Sequence, residues 1–139
     1  MIVNTAYIYM GGGAAVNPNL FQDGVSNYPV VFTSSASISS DGVYLPYNYS
    51  SATFSELPLT DFNSLILSVT IKGAAGNIIP IEFYDASGSS IETVSAEFKG
   101  SGGTSTVNIP GAAKIENAKI KITNRSSIAT ITIRSALLS

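Results

Sequence analysis

Three tyrosines within six residues, in the stretch Tyr44-Leu45-Pro46-Tyr47-Asn48-Tyr49, are the densest gathering of chemistry-bearing side chains in the sequence. A phenol presents a flat apolar face and a polar tip, which suits stacking on a sugar ring and packing in a protein interface alike. A glycan site pairs such rings with amides or carboxylates, and Asp41, Asn48 and Asn63 are the candidates. Rings lying over a sheet edge with their hydroxyls in water fit the same spacing. The sequence leaves the three alternatives open.

Other chemistries have less to work with. The chain has no histidine and no cysteine, which removes imidazole acid–base catalysis, thiol nucleophiles, disulfides and zinc sites built on Cys or His. Serine (21) and threonine (11) are abundant, but there is no imidazole to activate them and no G-x-S-x-G elbow. The glycine runs Gly11-Gly12-Gly13 and Gly100-Ser101-Gly102-Gly103 lack the lysine of a phosphate-binding loop. Acids beside glycines (Asp23-Gly24, Asp41-Gly42, Asp85-Ala86-Ser87-Gly88) fit Asx turns better than a calcium loop of the D-x-D-x-D-G kind. The expectation is therefore a non-enzyme with no metal and no cofactor.

The elements that would carry these residues are strands. At 139 residues, 45% hydrophobic and 12% charged, the chain is long enough for one domain with a substantial core. Period-two alternation recurs with β-branched residues, and helix signals are almost absent. Leu65 to Lys72 alternates cleanly. Ile79, Ile81 and Phe83 form an inner row around Pro80, whose missing N–H suggests an edge or a bulge. Val94, Ala96 and Phe98 form another row, and Val107 and Ile109 follow. Ala118, Ile120 and Ile122, then Ala129, Ile131 and Ile133, read as a hairpin across Asn124-Arg125-Ser126-Ser127. In the first half, Pro29 to Thr33 and Gly42 to Leu45 are short strands and Ala52 to Phe54 a weaker one; Leu57 to Phe62 reads as a 3₁₀ turn or packed loop. The expected fold is an all-β antiparallel sandwich, jelly-roll-like, of about eight strands over residues 14–139.

Residues 1–13 are read as an arm. Ile2, Val3, Tyr7, Ile8, Tyr9 and Met10 make a β-prone stretch, and Gly11, Gly12 and Gly13 form a hinge after it. Such a segment either adds a strand to a neighbouring subunit or forms an edge strand of its own domain. Met1-Ile2-Val3-Asn4 has no basic run of a secretory leader, and no stretch approaches the length of a membrane span. Net charge is −2, which disfavours general nucleic-acid binding. All seven basic residues follow residue 71. Lys119, Lys121 and Arg134 are expected to form one outward positive face, suited to the acidic first half of a second copy.

The apolar start Ile2 to Met10, the triple glycine, the Ser/Thr-rich strands and the missing Cys and His resemble small β-sandwich proteins of bacteriophage particles: decoration proteins, head fibres and tail-tip modules. Residues 60–135 also look like a galactose-binding-type jelly roll or carbohydrate-binding module, with Asp61 to Val69 as loop and long strand and Tyr84 to Gly88 as hairpin turn. The first resemblance implies a virion structural protein, assembled in the host cytoplasm, that docks through its arm onto other virion proteins or copies of itself as a homo-oligomer. The second implies recognition of a surface glycan through Tyr44, Tyr47 and Tyr49 near Asp41 and Asn48.

Overall fold

The computed structural model describes residues 16–73 and 78–139. The arm and hinge read at residues 2–13 lie outside the described residues. Twelve strands follow in chain order: β1 (Phe21–Gln22), β2 (Val25–Ser26), β3 (Val30–Thr33), β4 (Ser37–Ser39), β5 (Gly42–Leu45), β6 (Ser51–Leu57), β7 (Ser64–Lys72), β8 (Ile78–Tyr84), β9 (Ser90–Glu97), β10 (Gly102–Asn108), β11 (Ala118–Thr123) and β12 (Thr130–Leu138). Ten of them form two five-stranded antiparallel sheets, and β1 and β2 form a small ribbon. Sheet 1 runs β10-β7-β12-β5-β4 and sheet 2 runs β3-β6-β11-β8-β9. This is the expected all-β jelly-roll sandwich, with more and shorter strands than eight.

Alternation does the building. Leu65, Leu67, Val69 and Ile71 of β7 point inward from sheet 1, while Ile79, Ile81 and Phe83 of β8 and Ala118, Ile120 and Ile122 of β11 do so from sheet 2; all are buried in one core. Each large side chain so buried contributes about 1.5–3 kcal/mol. The β1–β2 ribbon closes one flank by stacking Phe21 on Phe54, with ring centroids 6.2 Å apart. Gly42, at φ +123°, opens β5 where any Cβ would run into the Ile133 carbonyl of the adjoining strand, so only glycine fits that crossing.

Three expectations are corrected by the pairing. First, β11 and β12 do not form a hairpin: β11 pairs with β6 and β8 in sheet 2, and β12 pairs with β5 and β7 in sheet 1. Residues 124–129 are thus a crossover between layers. Second, Lys119 and Lys121 lie in sheet 2 and Arg134 lies at a bulge of β12 in sheet 1, so they make no common positive face. Third, β8 is an inner strand. Its ladder with β11 stops at Ile81, however, and Pro80 is paired only on the β9 side, opposite Ser95. The missing N–H is accommodated there.

The registers define two poles. Loops 34–36, 46–50, 98–101 and 124–129, with Gly73, gather at one end. The β4–β5 turn at 40–41, the segment 58–63, the turn 85–89 and the segment 109–117 gather at the other. Near the latter, Leu138 N–H donates to Pro18 O (2.8 Å) and Leu20 N–H to Ala136 O (2.9 Å). The described chain therefore enters the sandwich away from the tyrosine loop.

Candidate functional site

The loop from β5 to β6 carries Tyr47 and Tyr49, which are 61% and 57% exposed, and Tyr44 stands 40% exposed on the outer face of β5. Large rings left this open at neighbouring positions are uncommon on a surface whose core is otherwise well filled. Tyr44 is flanked across the sheet by Ser37 and Thr132, with Thr70 one strand further. Asn48 is exposed between the two loop tyrosines.

The loop is held by hydrogen bonds that the sequence does not advertise. Tyr47 N–H donates to Ser50 Oγ (2.8 Å), and Ser50 Oγ–H donates to Ser34 O (2.8 Å), tying loop 46–50 to loop 34–36. Tyr49 N–H donates to Asn124 O (2.6 Å), and Asn124 N–H donates to Ser50 O (2.8 Å), tying it to the crossover. Asn124 is fully buried. Its Nδ2 donates to Leu45 O and Ala129 O (2.9 Å each), and its Oδ1 accepts from Ser126 N–H (2.9 Å). One amide thereby joins the end of β5, the crossover and the start of β12.

Two consequences follow at Tyr49. Its backbone sits in the left-handed region, at φ +69°, a conformation that costs a non-glycine residue on the order of 1–2 kcal/mol. Its ring lies 5.3 Å from the Arg125 guanidinium carbon, a cation–π contact. Arg125 is itself exposed, so the pair forms an open shelf of one aromatic face and one cation. Sequence reading placed Arg125 in a turn; only the crossover geometry brings it onto Tyr49.

Two of the amide and carboxylate candidates lie elsewhere. Asp41 precedes β5 while Tyr47 follows it, and that strand's four residues separate them by about 13 Å. Asn63 is at the far pole, where Lys114 Nζ donates to its Oδ1 (2.6 Å). The structure thus brings together Tyr44, Tyr47, Asn48 and Tyr49, and leaves Asp41 and Asn63 apart from them.

Remaining polar features are structural in form. Asp85 Oδ1 accepts from Ser87 N–H (3.0 Å), Ser87 Oγ–H (2.6 Å) and Ser89 N–H (2.9 Å), which hold its carboxyl below the usual range. This is the Asx-type turn expected there. On the outer face of sheet 2, Tyr84 Oη–H donates to Glu82 Oε2 (2.6 Å). That hydrogen bond, with partial burial and the nearby charge, pushes the phenol up to about 12. Among the described residues no three acidic side chains gather as a cation site, and no helix is long and apolar enough to cross a membrane.

No protein-family model matches the sequence, and no curated protein matches it. Solved structures do match in fold. A variant of the family 29 carbohydrate-binding module CBM29-2 superposes with a TM-score of 0.62 at 13% identity, over 90% of this chain and 92% of that one. A family 36 carbohydrate-binding module, in complex with calcium and xylotriose, superposes with a TM-score of 0.54 at 16% identity, over 80% and 88%. The enzymatically active domain of tailspike protein 4 of bacteriophage CBA120 matches at a TM-score of 0.51 and 14% identity, over 88% of this chain but 22% of that one. At these identities the likeness is one of fold: this chain shares the jelly-roll sandwich of carbohydrate-binding modules.

Proposed function

We propose that the protein is a non-catalytic glycan-binding module and that the tyrosine pole is its binding surface. One observation carries the reading: Tyr44 on β5 and Tyr47 and Tyr49 on the following loop stand exposed within six residues, and a buried amide braces that loop. Exposed rings offer stacking faces for pyranose rings. Asn48 and the hydroxyls of Ser37 and Thr132 supply donors and acceptors beside them. The fold supports the same reading, since the two modules above match this chain over nearly their whole length.

A glycan array followed by calorimetry on the best ligand tests it, with Tyr47→Ala as the control. The Tyr47 ring is mostly in water, so its removal leaves folding intact. It is expected to lower affinity about tenfold or more, the equivalent of about 1.4 kcal/mol. Absence of glycan binding, or binding indifferent to Tyr47→Ala, refutes the reading.

A second reading places such a module on a phage particle, with residues 1–13 as its anchor to other virion proteins or to a second copy. It is motivated by the β-prone stretch Ile2 to Met10 and the glycines after it. Deleting residues 1–13 and following retention on particles, and mass in solution, tests that anchor; unchanged retention and mass would remove it.

A further inference from the structure

The charges of the described chain are sorted by pole. At the tyrosine pole, Lys72 ends β7 opposite Thr130, Lys99 sits in the turn whose Ser101 O accepts from Ile71 N–H, and Arg125 lies on the crossover. Glu97, at the end of β9, is the single carboxylate there among the described residues. It lies two strand spacings from β11, about 10 Å. At the opposite pole the balance reverses: Asp23, Asp41, Glu56, Asp61, Asp85, Glu92 and Glu116 outnumber Lys114, Lys119 opposite Tyr84 and Arg134 against Gly42. An acidic protein thus presents a basic, aromatic end.

From this arrangement we infer that the tyrosine pole selects glycans bearing carboxylates, with Arg125 as the group that reads the carboxylate. The inference rests on the module reading above and names its ligand class. Three features support it. Arg125 is exposed and is braced against the Tyr49 ring, which pre-orders a planar fork suited to two parallel hydrogen bonds with a carboxylate. The Tyr49 ring under it, with exposed Tyr47 two residues away in the same loop, offers a stacking face to the sugar of a uronate, so ring and charge are read at neighbouring points. The sorting of charge between the poles turns this end toward an anionic partner during approach. A neutral oligosaccharide would use the tyrosines and leave the cations idle.

Calorimetry on the full chain tests it, using galacturonate, glucuronate and mannuronate oligosaccharides and their carboxyl-reduced neutral counterparts. At least one acidic oligomer is expected to bind about tenfold or more tightly than its reduced form, the range of a charge-assisted hydrogen bond. That preference narrows as salt rises from about 50 to 500 mM. Arg125→Gln should weaken binding of the acidic oligomer about tenfold or more and so abolish the preference. Arg125→Lys should restore only part of it, because an ammonium cannot make the paired contact. Equal affinity for acidic and reduced forms, or an Arg125→Gln variant that keeps the preference, overturns the inference. Tyr47-dependent binding of neutral oligomers alone overturns it while sparing the module reading; no binding of any glycan removes both. Tighter binding of single-stranded DNA than of every uronate, with the same dependence on Arg125, would also overturn it.

Discussion

Replacing Asn124 by alanine is the most informative single change in the sandwich. The side chain is fully buried and makes three hydrogen bonds, to Leu45 O, Ala129 O and Ser126 N–H. Each neutral bond is worth about 1 kcal/mol net, and each partner stranded in the interior adds about 1–3 kcal/mol. Water reaching the crossover relieves part of this, so the expected loss is about 3–5 kcal/mol. For a chain of this length 1 kcal/mol moves the midpoint by about 3–4 °C, which gives a fall of about 10–15 °C. Urea unfolding followed by far-UV circular dichroism, with calorimetry alongside, measures both numbers. Asn124→Asp serves as a second variant. It keeps the acceptor for Ser126 but turns oxygen toward two carbonyl oxygens, and it should lose at least as much at pH 7. A loss below about 1 kcal/mol for alanine, or an aspartate variant as stable as the parent, would refute the claim that this amide holds the pole together.

Three further outcomes follow from named contacts. Tyr49→Gly should be more stable than Tyr49→Ala by about 1 kcal/mol, because both lose the Arg125 contact but only glycine is at ease at φ +69°; paired urea curves check this. Tyr84 should form phenolate near pH 12, seen by subtracting the ultraviolet titration of Tyr84→Phe, and Glu82→Gln should bring that step down. Since this phenol is raised in the folded state, its stabilisation is present below about pH 10 and is lost as pH climbs toward 12. Thr123→Val should stabilise by about 1 kcal/mol, because the Thr123 hydroxyl is buried without a hydrogen-bond partner and valine fills the same volume; a thermal shift downward would show that the hydroxyl does have a partner in solution.

Much of the sandwich is legible in the alternation. The inner rows of β7, β8 and β11 are those read from Leu65, Ile79 and Ala118 onward, because a two-residue period says which side chains face the core. It does not say to which sheet a strand belongs. Asn124 to Ala129 therefore looked like a hairpin connection, polar and of the right length, when its buried amide makes it a step between layers. Thr123 departs from alternation for a related reason. It sits at an outward position by parity, yet it is buried next to that step. Of the candidate site, the tyrosines were visible as composition, whereas Arg125 was not, since its contact with Tyr49 spans 76 positions of sequence and depends on that crossover.

The tyrosine pole combines several departures from local rules. Tyr49, Ser34 and Ser35 have left-handed backbone there, at φ +69°, +52° and +65°, as Asp23, Glu56 and Asn117 do toward the other end. Large rings face water, and an arginine lies over a ring with no carboxylate on the adjoining loops. The strained backbone and the exposed rings are unfavourable or neutral for folding taken alone, and Asn124 and Ser50 supply the bonds that hold them. A sequence shaped by stability alone would place glycine at Tyr49 and a shorter polar side chain at Tyr47. Large rings held open to water on a strained loop, beside a buried amide that fixes it, are what a binding surface demands. The Tyr49→Gly comparison separates the two pressures, because it should relieve strain and erase ligand binding in the same molecule. A glycine variant that is both stable and fully able to bind would show that the strained tyrosine serves neither end.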